Sequence, residues 1–233
     1  KKTDEQKHHS EQVVKTLEKM KFKYSKDYSF LPFGMVRLPT GKMSSRTGDN
    51  ILYSDFMKEI TDYSKERISE RATRISKKEL VERSIKVSIA AIKYAMLKQD
   101  PKKSFVFDKV EALRFEGDTG PYLLYSYARA SSILRKAKSK AELEISDLKD
   151  SEIALLKKIE LFPQIVANSY KNLAPNLIAN YSYELSQNFN EFYHNCPVMG
   201  SNKVAFRLKL VDAFRKTLKK SLGLLGIETL EKM

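Results

Sequence analysis

Tryptophan is absent from this 233-residue chain, and cysteine occurs once, at Cys196. One cysteine excludes a disulfide framework and a cysteine-rich zinc site within the chain, and a reducing compartment is the default. Cys196 lies beside bulky apolar residues, which points to burial rather than reactivity. Eight glycines and seven prolines leave few interruptions for long helices. Only three histidines occur, and no metal site is assigned to His8 and His9, which have no cysteine partner. No apolar run approaches the length of a membrane span, and no signal peptide is visible. A soluble cytoplasmic protein without a membrane partner is expected. Acidic residues are also few: 29 against 43 lysines and arginines, a formal charge of +14 at pH 7. Such a balance favours a polyanionic partner; lysines solvated on helix faces are the alternative. The chain opens on Lys1 rather than methionine, so a portion of a longer or processed protein is expected.

What is present is mostly helical periodicity. From Thr3 to about Lys21, Val13, Val14, Leu17 and Met20 make an apolar stripe. Residues 28–36 carry proline and glycine and read as a strand or extended segment leading into a loop. Ile51-Leu52-Tyr53 follows that loop. Ser54 reads as the N-cap of an amphipathic helix reaching Arg71 through Phe56, Met57, Ile60 and Tyr63. A second helix, Lys77 to Leu97, presents Leu80, Val81, Ser84, Val87, Ser88, Ala91, Ile92 and Ala95, small enough in part for close helix approach. Ser104 to Asp108 suits a brief strand. Beyond Gly120-Pro121, helices are expected at about 121–138, 151–162, 164–173, 175–195 and 203–222, with stop signals at Gly223 and Gly226. Residues 136–149 read as a frayed helix end and linker.

Three segments carry chemistry. In Leu38-Pro39-Thr40-Gly41-Lys42-Met43-Ser44-Ser45-Arg46-Thr47-Gly48, a lysine and two hydroxyls sit between glycines. Such a loop can swing charge and donors onto a triphosphate, although a solvated turn has the same composition. Gln6 and His9 lie three apart on one helix face. Tyr122, Tyr125 and Arg129 fall at i, i+3 and i+7 on one stripe. Tyrosine faces stack on unpaired bases for about 1–3 kcal/mol each, and arginine stacks or binds phosphate. A buried aromatic stripe is the alternative. Tyr181, Tyr183, Phe189 and Phe192 read as core.

Taken in order, these segments resemble the C-terminal portion of the arginyl-tRNA synthetases, a family of class I aminoacyl-tRNA synthetases. The loop is similar to the family's Lys-Met-Ser signature, the KMSK-type loop. Phe115-Glu116-Gly117-Asp118-Thr119-Gly120-Pro121-Tyr122-Leu123-Leu124-Tyr125-Ser126-Tyr127-Ala128-Arg129 looks like the entry into a DALR-type anticodon-binding domain. Asn190-Glu191-Phe192-Tyr193 and the terminal Leu224-Leu225-Gly226-Ile227-Glu228 and Lys232-Met233 also fit.

The resemblance implies a mainly α chain. The tail of a Rossmann-type catalytic domain would occupy residues 1–60, a helical connector 61–115, and an anticodon-binding helical bundle 116–233. It implies ATP-dependent activation of arginine and its transfer to tRNA(Arg), with Mg2+ arriving with ATP. Lys42 and Ser44 would act on the triphosphate, with Met43 and Arg46 beside them. Met35 and Val36 would line the adenine, His9 would support the nucleotide pocket and Gln6 would hold arginine. Tyr122, Tyr125, Arg129, Tyr193 and Met233 would contact the tRNA. Ser45 stands where the signature usually has a second lysine. The family often compensates with a lysine elsewhere in the catalytic domain, and Arg46 is a local substitute. The chain lacks the His-Ile-Gly-His-type motif of class I enzymes, so it is not expected to activate arginine by itself. The rival readings are another class I synthetase and a non-catalytic basic helical RNA-binding protein.

Overall fold

In the computed structural model, residues 3–28, 30–31, 33–39, 52–71, 75–137, 145 and 147–233 are described, the side chains of 3–6 and 71 excepted. The KMSK-type residues Lys42, Met43, Ser44 and Arg46 lie outside the described residues, and so does most of the 136–149 linker. The remaining elements follow the sequence pattern closely. Helix α1 spans Thr3–Lys19, β1 Val36–Arg37, α2 Tyr53–Arg71, α3 Lys77–Leu97, β2 Phe105–Val106 and the short α4 Lys109–Ala112. Five helices then complete the chain: α5 Gly120–Lys136, α6 Asp150–Glu160, α7 Phe162–Asn172, α8 Asn176–Asn195 and α9 Val204–Leu224.

Strands β1 and β2 pair in parallel, Val36 opposite Phe105 and Arg37 opposite Val106. A parallel pair needs a long crossover, and α2 and α3 supply it. The ladder uses the backbone of Met35 and Arg37: Phe105 N–H donates to Met35 O (3.1 Å) and Phe107 N–H to Arg37 O (2.7 Å). This register turns the N–H and C=O of Val36 away from β2. Just upstream, Gly34 N–H donates to Pro101 O at 2.6 Å. A Cβ on Gly34 would collide with the Lys103 carbonyl, so only glycine permits this approach.

Local signals explain where the helices begin. Ser76 accepts from Glu79 N–H (3.2 Å) at the start of α3, and Asp108 accepts from Val110 N–H (2.8 Å) at the start of α4. Thr119 caps α5 through Tyr122 N–H at 3.3 Å, with Pro121 in the first turn. Some expectations shift. Helix α2 starts at Tyr53, before Ser54, whose hydroxyl donates to the Asp55 carboxylate instead of capping. Gly223 lies inside α9, and the chain turns out of the helix at Gly226, whose φ is +66°. Met20, which lies just past the end of α1, and Val81 are exposed rather than packed.

The core is continuous from Ile60 in α2 to Leu230 near the C-terminus. Helix α3 packs its small face on α2, where the Ser64 and Ser88 hydroxyls meet at 2.9 Å. It also receives the first turn of α5, where Gly120 lies against the Ala90 carbonyl so closely that a Cβ would not fit. Phe189 and Phe214 stack at 3.9 Å between α8 and α9. Cys196 is fully buried beside the Ser151 hydroxyl, as its apolar neighbours implied. No described helix is long and apolar enough to cross a membrane.

Candidate nucleic-acid interface

The 3.6-residue period of α5 brings Tyr122, Tyr125 and Arg129 to one face, and α8 brings Asn190 and Tyr193 opposite them. The Arg129 guanidinium carbon lies 4.7 Å from the centre of the Tyr125 ring and 5.3 Å from that of Tyr193. Each cation–π contact contributes about 0.5–1 kcal/mol at an exposed site. Arg129 Nη1 donates to Asn190 Oδ1 (2.6 Å) and Nη2 to the Tyr125 hydroxyl (3.1 Å). Asn190 Nδ2 donates to the Tyr122 hydroxyl (2.7 Å) and to Ser126 Oγ (3.1 Å). Tyr193 is also backed by Phe189, near-parallel at 6.4 Å, so a ring stack runs from the core to the surface. Tyr125 and Tyr193 are each 42% exposed, which leaves ring area for a ligand.

Of these, Tyr125, Arg129, Asn190 and Tyr193 wall a cleft of about 1150 Å³. Arg83, Arg129, Arg135, Lys136, Lys232 and His194 line it, and among the described residues no aspartate or glutamate side chain does. Arg83 is paired with Glu79, and Arg135 is turned toward Glu231. Arg129, Lys136 and Lys232 have no carboxylate partner among the described residues. A smaller recess beside the cleft lies between Phe115, Glu116, Tyr122, Tyr125, Arg129 and Asn190.

Two tethers shape the walls. The C-terminal segment is held by Tyr127, whose hydroxyl donates to Glu231 Oε1 (2.8 Å), and by Arg135, which donates to the Glu231 carbonyl (2.9 Å). Burial pushes the Glu231 carboxyl up, but the Tyr127 hydroxyl and the Arg215 and Arg135 charges outweigh it and hold it below the usual carboxylate range. The tether sets Lys232 and Met233 at the cleft. The second is the buried pair Arg207 and Glu152, joined at 2.7 Å. Arg207 Nη1 also donates to Pro197 O (2.7 Å) and Ser201 Oγ (3.0 Å), fixing the loop that carries Val198 and Met199 along the cleft. Burial raises Glu152, but the Lys149 N–H and Arg207 together hold it low.

The structure thus gathers Tyr122, Tyr125, Arg129, Tyr193 and Met233 around the cleft and its recess. The nucleotide residues do not form a comparable cluster among the described residues. Met35 and Val36 lie at β1, His9 is exposed on α1, and Gln6 lies on α1 with only its backbone described. No described group of His, Cys, Asp and Glu is arranged to hold a metal ion. Sequence reasoning did not assign roles to Asn190, Ser126, Arg83, Arg135, Lys136 or Lys232. Asn190, three residues before Tyr193, was accessible by helical spacing. Arg83 enters from α3 and had no local signal.

Comparison with known proteins accounts for both halves of the chain. Residues 2–109 match the family model "tRNA synthetases class I (R), catalytic domain", and residues 123–233 match the DALR anticodon binding domain. An arginine–tRNA ligase of Flavobacterium psychrophilum is 37% identical over 237 residues, covering 99% of this chain and 39% of the relative. One from Methanospirillum hungatei is 41% identical, covering 86% of this chain and 36% of the relative. The chain therefore spans well under half the length of these relatives. The arginyl-tRNA synthetase of Thermus thermophilus superposes with a TM-score of 0.80 at 31% identity, covering 86% of this chain and 35% of that structure. That of Plasmodium falciparum superposes with a TM-score of 0.75 at 29% identity, covering 87% and 35%.

Proposed function

Because the chain belongs to the arginyl-tRNA synthetase family, we propose that it serves the ATP-dependent attachment of arginine to tRNA(Arg) in the cytoplasm. In this reading its bundle binds the anticodon loop, and the cleft between α5 and α8 is the binding surface. The observation that carries it is Arg129, held between the Tyr125 and Tyr193 rings in a cleft whose described lining is cationic and includes no aspartate or glutamate. Unpaired bases are bound by stacking and by cations that meet phosphate, and this cleft offers both. Lys136, Lys232 and Met233 complete the surface.

At the other end, we assign Met35 and Val36 to the adenine. The β1 register supports this, since it directs the backbone groups of Val36 away from β2, where a planar base with donor and acceptor edges would meet them. Lys42 and Ser44, with Met43 and Arg46, would meet the triphosphate. A lysine there offsets the charge that builds on the phosphates as the arginine carboxylate attacks the α-phosphorus. His9 would support the nucleotide and Gln6 the arginine. Mg2+ would come with ATP, neutralising phosphate charge. The division at residues 60/61 and 115/116 is kept as part of this proposal, with α2 running across the first boundary.

The test is equilibrium binding of the chain to an arginine-accepting tRNA transcript and to the same transcript with altered anticodon bases, at fixed salt. Tighter binding of the first, at least tenfold, is expected. Tyr125→Ala should reduce that ratio more than it reduces binding to the altered transcript. Equal affinity for the two transcripts with unaltered protein would count decisively against anticodon readout.

A further inference from the structure

Asn190 sits at the centre of the cleft's hydrogen bonds, and its chemistry leaves it one orientation. Arginine can only donate, so the Asn190 oxygen must face Arg129 Nη1, at 2.6 Å. Ser126 spends its one proton on the Tyr122 carbonyl (3.0 Å), so toward Asn190 it can only accept. The Asn190 amide therefore fills both its donor sites, on Ser126 Oγ and on the Tyr122 hydroxyl, 2.7 Å away.

This has a consequence for the tyrosines. The Tyr122 oxygen accepts from Asn190, and the Tyr125 oxygen accepts from Arg129. Neither hydroxyl donates to any described residue, which leaves both protons available to a ligand. Arg129 also keeps its full charge, because the group that anchors it is a neutral amide. A carboxylate at the same position would neutralise that charge and would draw the Tyr122 proton inward.

We propose that Asn190 is the positioning residue of this cleft. It holds Arg129 between the two rings without neutralising it, and sets the Tyr122 and Tyr125 hydroxyls and the guanidinium as an arc of donors. The arc would take the acceptor-bearing edge of an unpaired base or a phosphate oxygen of the bound RNA loop. This rests on the anticodon reading of the cleft and adds how its polarity is set.

The proposal is tested with Asn190→Ala, Asn190→Asp and Asn190→Ser in the 233-residue chain. Binding to the arginine-accepting transcript and to its anticodon-altered form is measured across a salt series, with thermal unfolding alongside. Asn190→Ala should cut the affinity ratio between the transcripts roughly tenfold and leave the salt dependence unchanged, since Arg129 keeps its charge. Asn190→Asp should weaken both transcripts and lower the slope of log K against log salt by about 0.7, one phosphate contact on a single strand. Asn190→Ser, which keeps an acceptor for Arg129, should restore part of the ratio. A merely structural asparagine would shift the melting temperature in all three without separating ratio from slope. Failure of the unaltered chain to discriminate would overturn the anticodon reading, and this assignment with it. Discrimination that survives Asn190→Ala, or an unchanged slope in Asn190→Asp, would overturn the assignment alone.

Discussion

Arg129 reaches the cleft as a guanidinium flanked by two phenol rings, so its charge and its planarity can be separated by substitution. Lysine keeps the charge but cannot stack as a plane or donate in a fixed fork. Arg129→Lys should leave the salt dependence of RNA binding as it is and weaken affinity by about 1–2 kcal/mol, roughly five- to thirtyfold. A filter-binding series against salt reads both quantities. Unchanged affinity together with an unchanged slope would show that charge alone matters there. At this scale part was legible beforehand: Tyr122, Tyr125 and Arg129 fall on one helical face that spacing groups, whereas Tyr193, on another helix, is reached only through the family resemblance. Asn190 was within reach of the same spacing but gave no chemical signal, because an amide's role depends on which donors and acceptors surround it.

Among the elements, α6 and α9 are tied through Glu152 and Arg207, whose side chains are 0% and 6% exposed. Removing one partner of such a pair strands a buried charge, whereas replacing both with apolar groups of similar volume is often neutral. Arg207→Met should therefore lower stability by about 3–5 kcal/mol in urea unfolding, and Glu152→Met with Arg207→Met should regain most of it. The double variant should still bind RNA less selectively, since the Pro197 carbonyl and Ser201 hydroxyl lose the donor that fixes their loop. Element boundaries were mostly readable, because caps and breakers such as Ser76, Thr119 and Pro121 act locally. The misplacements, Ser54 and Gly223, came where a bond to the neighbouring Asp55 side chain or the helix's own continuation outweighed a local preference of a few tenths of a kcal/mol to about 1 kcal/mol.

For the whole molecule, the net charge of +14 and the cationic lining of the cleft point to binding that weakens steeply with salt. With five lysines and arginines lining the cleft, a slope of roughly −2 to −4 is expected for an RNA loop. Stability carries its own pH dependence. Glu152, Asp212 and Glu231 are all held below their ordinary values in the folded state, burial being outweighed by hydrogen bonds and nearby cations. Their contribution is present above the unfolded carboxylate pKa of about 4 and is lost as the pH falls through the lower folded values. Tyr94, raised by burial and then by Asp118, acts in the opposite direction: its contribution is complete below about pH 10 and declines above it. Melting temperature should thus be flat near neutrality and drop at both extremes. A melting temperature that rises on acidification to pH 3 would contradict the acid half.

The sequence by itself determined the helical periods, the exclusion of an internal disulfide by a single cysteine, the basic charge and the order of the segments that mark the family, because each is a local property of composition or spacing. Only the tertiary structure decided that Arg129 stands between two rings from different helices, that Asn190 can face it in one way alone, and that Arg83 and the C-terminal Lys232 and Met233 meet at the same cleft. Those facts depend on crossing angles, on Gly120 closing against Ala90, and on hydrogen bonds between residues sixty or more positions apart, and no local pattern encodes them.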